Sequence, residues 1–395
     1  MENKIMKTVK MKIQSCFLKV VCLFLVFHFS SLNLAHAQSP LSDSACAYVL
    51  TCGPGNDFYT TFGHSAIRIS DPARGIDQVY NYGTFDFDTP HFYWKFMRGQ
   101  LDYQLGRTNF SHFMSEYASE GRFVSQQRLH FDARQTANLY MLLEENYRPE
   151  YRYYRYDFFR DNCATRVRDM VVLAMGKNDT ILGSDWQAAP RSYRRLVSDN
   201  LKGTLEWWRL GIDMLFGLPA DHRATDMERM FLPLQMRDIY AATLWRGECG
   251  NAYIVSPSQQ LLPETRQPLS ASFPPVVVFA LLLVLVVVMS WKQWWRPWMD
   301  RVLFVLAGLV GLFLVFMWVG TDHYCTQWNL NILWANPLLL LVAIRLNRSP
   351  LWSLWLLVGC FVVAAVWTVC CGLSPAILLL ILTLAFRIVG YLRQQ

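Results

Sequence analysis

The sequence predicts an α+β domain over residues 38–270, followed by a helical membrane bundle of about five spans over residues 271–395. Three observations carry this expectation. Between residues 45 and 175, short apolar alternations punctuated by Gly and Pro interleave with capped helical repeats, the mixture an α+β domain produces. Long apolar runs recur at 274–290, 302–320, 330–344, 351–370 and 373–389, lengths that suit a bilayer. Lys and Arg fall unevenly between those runs. Lys292, Arg296 and Arg301 follow the first, Arg345 and Arg348 the third, and Arg387 and Arg393 close the chain, whereas 321–329 and the last connection carry none.

Residues 1–37 read as a secretory signal. Lys4, Lys7, Lys10 and Lys12 form its basic region, an apolar stretch over 20–29 follows, and Ala35-His36-Ala37 supplies the small-x-small cleavage pattern. The apolar stretch is shorter than a bilayer needs, so cleavage is expected rather than an uncleaved anchor. No lipobox cysteine follows it. Positive-inside reasoning then leaves the N-terminal domain outside the cytoplasmic membrane and the C-terminus inside, and five crossings have the right parity. Trp291, Trp294, Trp295, Trp298 and Trp328 suit interfacial belts. The third run is short, contains Asn331, Asn336 and Pro337, and is expected to be a broken or partly re-entrant span.

Within the domain, 47–50 opens a strand that stops at Gly53-Pro54-Gly55. Ile67 and Ile69 alternate with Ala66, Arg68 and Ser70 as in a half-buried strand, and after a turn over 71–77 the run 78–83 returns antiparallel. Residues 92–99 and 110–118 look helical, 122–129 a strand, and 132–146 a capped helix. Residues 153–159 are aromatic and extended. Asp161 suits an N-cap for a helix in which Cys163, Val167, Met170, Val171 and Ala174 share a face. A docking helix is expected over 205–216, and 259–272 reads as the linker into the membrane.

Part of the net charge of +7 lies in the signal and the inner loops. The rest includes Arg148, Arg152, Arg155, Arg160, Arg166 and Arg168, interleaved with aromatics in a way that superficially suits nucleic acid. An exported domain does not meet nucleic acid, so the partner class is anionic phospholipid headgroups, unless the run is a plain solvated face. The ten cysteines form no disulfide framework. Cys16 and Cys22 leave with the signal, Cys360, Cys370 and Cys371 lie in spans, and Cys46, Cys52, Cys163, Cys249 and Cys325 remain outside. Cys46 and Cys52 are close enough in sequence to bridge, but their connectivity stays open.

Cys163, in the first turn of its helix, gains thiolate stabilisation from unpaired N–H groups and the helix dipole. His64, opening a strand, is the matching general base, and Asn81 on the next strand is the best-placed acceptor to orient it, with Tyr82 and Asp86 behind. A His that opens a strand and a Cys on a helix face are each more often structural; their order along the chain is what joins them. Cys52 is the rival nucleophile, and His323 either lines the site or sits at the membrane interface. No metal-spaced His/Cys set and no phosphate loop is seen, so neither metal nor cofactor is expected.

Leu50-Thr51-Cys52-Gly53-Pro54-Gly55, Phe62-Gly63-His64-Ser65-Ala66-Ile67-Arg68, Tyr80-Asn81-Tyr82-Gly83-Thr84-Phe85 and Asp157-Phe158-Phe159-Arg160-Asp161-Asn162-Cys163-Ala164-Thr165-Arg166 resemble the Lnb-type lipoprotein N-acyltransferases of Bacteroidota. Asn329-Leu330-Asn331 and Asn336-Pro337-Leu338 look similar too. The resemblance implies a circularly permuted papain-like fold of NlpC/P60 type, in an inner-membrane, multi-pass protein with its catalytic domain in the periplasm. It implies catalysis by Cys163 and His64, with Asn81 as third member at the strand position where many relatives use a second His; Tyr82, Arg166 and His323 are the candidate substrate-binding residues. The implied partners are a phospholipid acyl donor and a diacylated lipoprotein acceptor. Two other classes remain: an NlpC/P60-like cysteine peptidase or amidase acting on cell-wall peptides, and a non-catalytic membrane scaffold.

Overall fold

Apolar alternation along residues 46–84 folds into three neighbouring antiparallel strands, β1 (Cys46–Cys52), β2 (His64–Asp71) and β3 (Ile76–Thr84). The chain then adds β4 (Asp102–Asn109), β5 (Val124–Arg128) and β6 (Tyr153–Arg155), a separate sheet of β7 (Thr180–Ser184), β8 (Thr243–Gly247) and β9 (Gly250–Tyr253), and finally β10 (Gln259–Leu262). The main sheet has seven strands in the order β10-β5-β1-β2-β3-β4-β6. A computed structural model of the chain describes residues 40–176, 180–184, 186, 188–247, 250–267 and 272–394. The expected signal peptide, Cys16, Cys22 and Cys249 lie outside the described residues, as does part of the expected linker.

Helices cover both faces of that sheet. On one, α1 (Phe92–Met97) leads through β4 into α2 (Phe110–Ser119), whose Phe113 and Tyr117 pack on Leu50, Cys52, Ala66 and Val79. On the other lie α3 (Ala133–Tyr147) and α4 (Cys163–Ala174), with Asp132 capping α3 through a reciprocal bond to Gln135. Tyr80 and Tyr82 send their hydroxyls from β3 to Glu144 and Asn146 of α3. Along β2 Ile67 and Ile69 are inaccessible and Arg68 and Ser70 partly exposed, the alternation expected of a half-buried strand, but Ala66 is inaccessible too because α2 covers it.

Three further features extend or correct the expected elements. The strand β4 falls in a stretch not expected to be one. The expected linker begins as β10, which pairs with β5. Residues 177–260 hold α5 (Tyr193–Leu201), α6 (Glu206–Leu215), α7 (Asp226–Arg229) and α8 (Pro233–Ala242) besides the small sheet.

The membrane part consists of α9 (Pro275–Trp291), α10 (Pro297–Val319), α11 (Leu338–Arg345), α12 (Leu351–Cys371) and α13 (Pro375–Leu392). Among the described residues four stretches are long and apolar enough to cross a bilayer, and α9, at 17 residues, is a shorter apolar helix. The third stretch, Tyr324–Arg348, is broken as expected. Its polypeptide runs through 3-10 turns at Tyr324–Thr326 and Leu330–Leu333 before α11 begins after Pro337. Arg387 makes a buried ion pair with Asp300, at 2.7 and 2.9 Å, that also takes in Ser290 and Tyr391, tying α9, α10 and α13 together.

The docking helix is where expected. Leu210 of α6 joins the core of the bundle, which is worth about 1.5–3 kcal/mol for a fully buried leucine. The last carbonyls of α6 have no partner within the helix. Asn331 donates its amide to Asp213 O at 2.9 Å, and Asn329 to Met214 O and Leu215 O at 2.8 and 2.9 Å. The Asp213 carboxylate accepts from Ser374 N at 2.8 Å. Arg194, buried in α5, donates to Asp213 O, Phe216 O and the Asp221 carboxylate. Asp213→Ala would leave Ser374 N–H without its acceptor and Arg194 with one carboxylate fewer. It should lower stability by about 3 kcal/mol, read from thermal unfolding of the full chain in detergent, and Asp213→Asn should lower it less.

Candidate active site

The site is built at the start of α4. Asn162, 3 % exposed, is the N-cap: its Oδ1 accepts from Ala164 N and Thr165 N at 2.9 Å each, and Thr165 Oγ1 accepts from Asn162 N at 2.7 Å. The expectation of Asp161 as cap is overturned for a physical reason. The Asn162 amide also donates to Phe158 O and Phe231 O, at 3.0 and 2.8 Å, which a carboxylate cannot do. Asp161 instead binds the Arg166 guanidinium in a two-point ion pair. Cys163 thereby becomes the first helical residue, at the positive end of the helix dipole.

The strand residues meet it there. His64 opens β2, and its Nε2–H donates to Asn81 Oδ1 on β3. Its other nitrogen, Nδ1, is left for the thiol, with which His64 is hydrogen-bonded. Burial pushes the Cys163 thiol up, but the His64 charge, the bond from its ring and the N–H groups of Ser65 and Ala164 together outweigh it. The thiol is held below its ordinary value. Burial pushes the His64 imidazole down, yet the Cys163 charge and the bonds to Cys163 and Asn81 leave it raised. The two shifts have one cause: each group favours the charged form of the other.

Cys52 is the opposite case. It is wholly buried under α2, and burial pushes its thiol up to about 12, so the rival nucleophile is a neutral packing group. Cys46 and Cys52 are both free thiols.

The three residues expected to bind substrate each have partners within the protein. Tyr82 is fully buried, bonded to Asn146 and edge-on to Tyr154. Arg166 spans Asp161 and the face of Tyr154, its guanidinium carbon 4.2 Å from that ring's centroid. His323 donates from Nε2 toward Phe96 O and Met97 O, 3.2 and 3.1 Å away, at the end of α1.

Two residues at the site went unseen in the sequence. Gly83 has φ +89 in a bulge of β3, and a Cβ there would stand 3.6 Å from Cys163 Cβ and 4.0 Å from His64 Cε1. Only glycine fits that backbone while leaving the space above the thiol open. Tyr154, 9 % exposed, has a buried hydroxyl with no hydrogen-bond partner among the described residues, close enough to Cys163 to feel its charge. The signal for Tyr154 was an aromatic run that reads equally well as a plain strand.

Residues 34–199 match the family model of the Lnb N-terminal periplasmic domain, and residues 267–395 that of the Lnb transmembrane domain. The chain belongs to the Lnb family. Searches of curated proteins and of solved structures give no match. Membership assigns the sheet domain of this Lnb protein to the periplasm and its C-terminal helices to a membrane. The face of the Lnb bundle on which α6 docks is therefore its periplasmic face.

Alkylation of Cys163 by iodoacetamide, followed by mass spectrometry of its peptide, should titrate below the ordinary thiol range. His64→Ala should move the midpoint upward, because a buried thiolate then loses its counter-charge.

Proposed function

We propose that this chain is a lipoprotein N-acyltransferase. It carries an acyl chain from a membrane phospholipid, through a thioester on Cys163, to the α-amino group of a diacylglyceryl-cysteine apolipoprotein. The observation that carries this reading is the Cys163–His64–Asn81 arrangement, with its lowered thiol and raised imidazole, in a periplasmic domain bonded to a membrane bundle. Membership of the Lnb family supports an acyltransferase of the lipoprotein N-acylating type. The chain order His64, Asn81, Cys163 supports a circularly permuted papain-like domain. Counting α9 as a fifth span gives the parity that the loop charges ask for, with the bundle in the inner membrane.

Each half-reaction balances without a cofactor. The Cys163 thiolate attacks the ester carbonyl, and the tetrahedral oxyanion collapses by breaking the C–O bond. The departing oxygen takes the proton of His64 Nδ1, and a lysophospholipid leaves. The lipoprotein amine then attacks the thioester carbonyl and gives a proton back to His64. The C–S bond breaks, the amide forms and the thiolate is restored. Asn81 holds the imidazole in the tautomer both steps need. The unpartnered Tyr154 hydroxyl, steadied by Arg166 over its ring, is a donor for the oxyanion. Tyr82, Arg166 and His323 are the residues this reading assigns to substrate binding. An amine outcompetes water at a thioester only where water is scarce, which suits a cleft walled by tyrosines.

The test uses the full chain and phospholipid without acceptor. Cys163 should gain one fatty-acyl mass, labile to hydroxylamine, and a diacylated lipopeptide should then discharge it onto its α-amine. Cys163→Ala and His64→Ala should each lose roughly a thousandfold or more of this activity while remaining folded. A muropeptide cut while lipid is ignored would make the protein a peptidase, and no adduct with an intact fold would refute the acyl-enzyme.

A further inference from the structure

We propose that the segment from Phe85 to Met97, containing α1, is a ramp that rests in the outer leaflet and passes a phospholipid acyl chain toward Cys163. The proposal rests on the reading of Cys163 as an acyl-accepting thiol.

The first observation is exposure. Phe87, Tyr93, Trp94 and Phe96 are 60, 82, 52 and 45 % exposed. A cluster of uncovered aromatic rings on a water-facing domain marks an interaction surface.

The second is where that cluster is fixed. Trp94 lies against Phe316 near the periplasmic end of α10, ring centroids 6.2 Å apart. Arg98 Nε donates to Gly320 O at 3.2 Å, Asp322 N donates to Arg98 O at 2.8 Å, and His323 holds the carbonyls of Phe96 and Met97. The segment is therefore bonded to the bundle where α10 ends, at the depth where Trp318 and Trp328 pack together. Amphipathic rings favour the headgroup level. That continuity with the bundle selects a lipid surface over a soluble protein as the occupant.

The third is what lies inward. Phe85 touches Phe87, Phe92 and Tyr103, with centroids 5.0, 5.8 and 5.3 Å apart. Tyr103 stacks on Tyr156 at 4.5 Å, and Tyr156 lies near enough to Cys163 to feel its charge. Ring follows ring from the exposed cluster to the thiol. A hydrocarbon chain needs no hydrogen bonds and can slide along such a wall; a peptide backbone would leave its own groups unpaired there.

The test uses the full chain in vesicles of phosphatidylethanolamine and phosphatidylglycerol. With Tyr93 replaced by photoreactive p-benzoylphenylalanine, irradiation should attach a phospholipid at that position. In the triple variant Phe87→Ser, Tyr93→Ser, Trp94→Ser, the ratio of Cys163 acylation by vesicle phospholipid to acylation by soluble p-nitrophenyl butyrate should fall at least about tenfold. A ratio unchanged within about twofold, or a cross-link to protein instead of lipid, would overturn the ramp. Absence of acylation from both substrates in the unaltered chain would refute the thiol reading instead, and the Tyr93 cross-link would still decide the ramp.

Discussion

The placement of the thiol relative to the membrane depends on how the C-terminus of one helix is satisfied. The helix Glu206–Leu215 ends inside the protein, where unpaired carbonyls would each carry a desolvation penalty of about 1–3 kcal/mol. Asn329 and Asn331 supply the missing donors from the broken third stretch of the bundle, while Asp213 takes the N–H of Ser374. In these the bundle donates and the helix accepts, while Gly217 N donates the other way, to Cys325 O at 2.8 Å, so the periplasmic domain and the bundle share one set of satisfied polar groups. A purely apolar contact would resist separation but would allow sliding. Hydrogen bonds of fixed length do not, and they fix the periplasmic domain on the bundle.

At the thiol the same competition is settled differently. Burial disfavours a thiolate, and at Cys52 it wins outright, pushing that group up to about 12. At Cys163 burial is also the largest single influence, but an imidazolium and two backbone N–H groups oppose it together and reverse the outcome. Cys52 is inaccessible and Cys163 partly accessible, and their surroundings differ as well. Cys52 packs against Phe113 and Tyr117, whereas Cys163 stands at a helix start facing the start of β2. His64 contributes most of that stabilisation, and the backbone N–H groups of Ser65 and Ala164 add to it, so the side chains of those two residues carry no sign of the role.

Much of this was legible in the sequence because local chemistry and tertiary structure agree. Ile67 and Ile69 mark β2, the amphipathic 205–216 run marks the docking helix, and Asn331, Asn336 and Pro337 mark the break in the third stretch. Cys163, His64 and Asn81 were expected to meet, and they do. What escaped was structure set by distant partners. The strand Asp102–Asn109 buries little beyond Leu105 and is held by pairing with β3 and β6, so its own residues show no apolar alternation. The strand Gln259–Leu262 forms only because β5 offers a free edge more than a hundred residues earlier. The cap was misplaced by one residue because Asp and Asn are equally good caps locally. The decision between them comes from the carbonyl of Phe231, far along the chain.

The central claim is that Cys163 performs lipoprotein N-acylation, and the most direct measurement is the mass of mature lipoprotein N-terminal peptides from cells in which this chain is the sole candidate N-acyltransferase. Membranes should contain equal amounts of the unaltered chain or its Cys163→Ala variant. The expected result is a third acyl chain on the N-terminal cysteine with the unaltered chain, and diacylated termini only with the variant. Triacylated lipoproteins in both, at equal abundance, would contradict it.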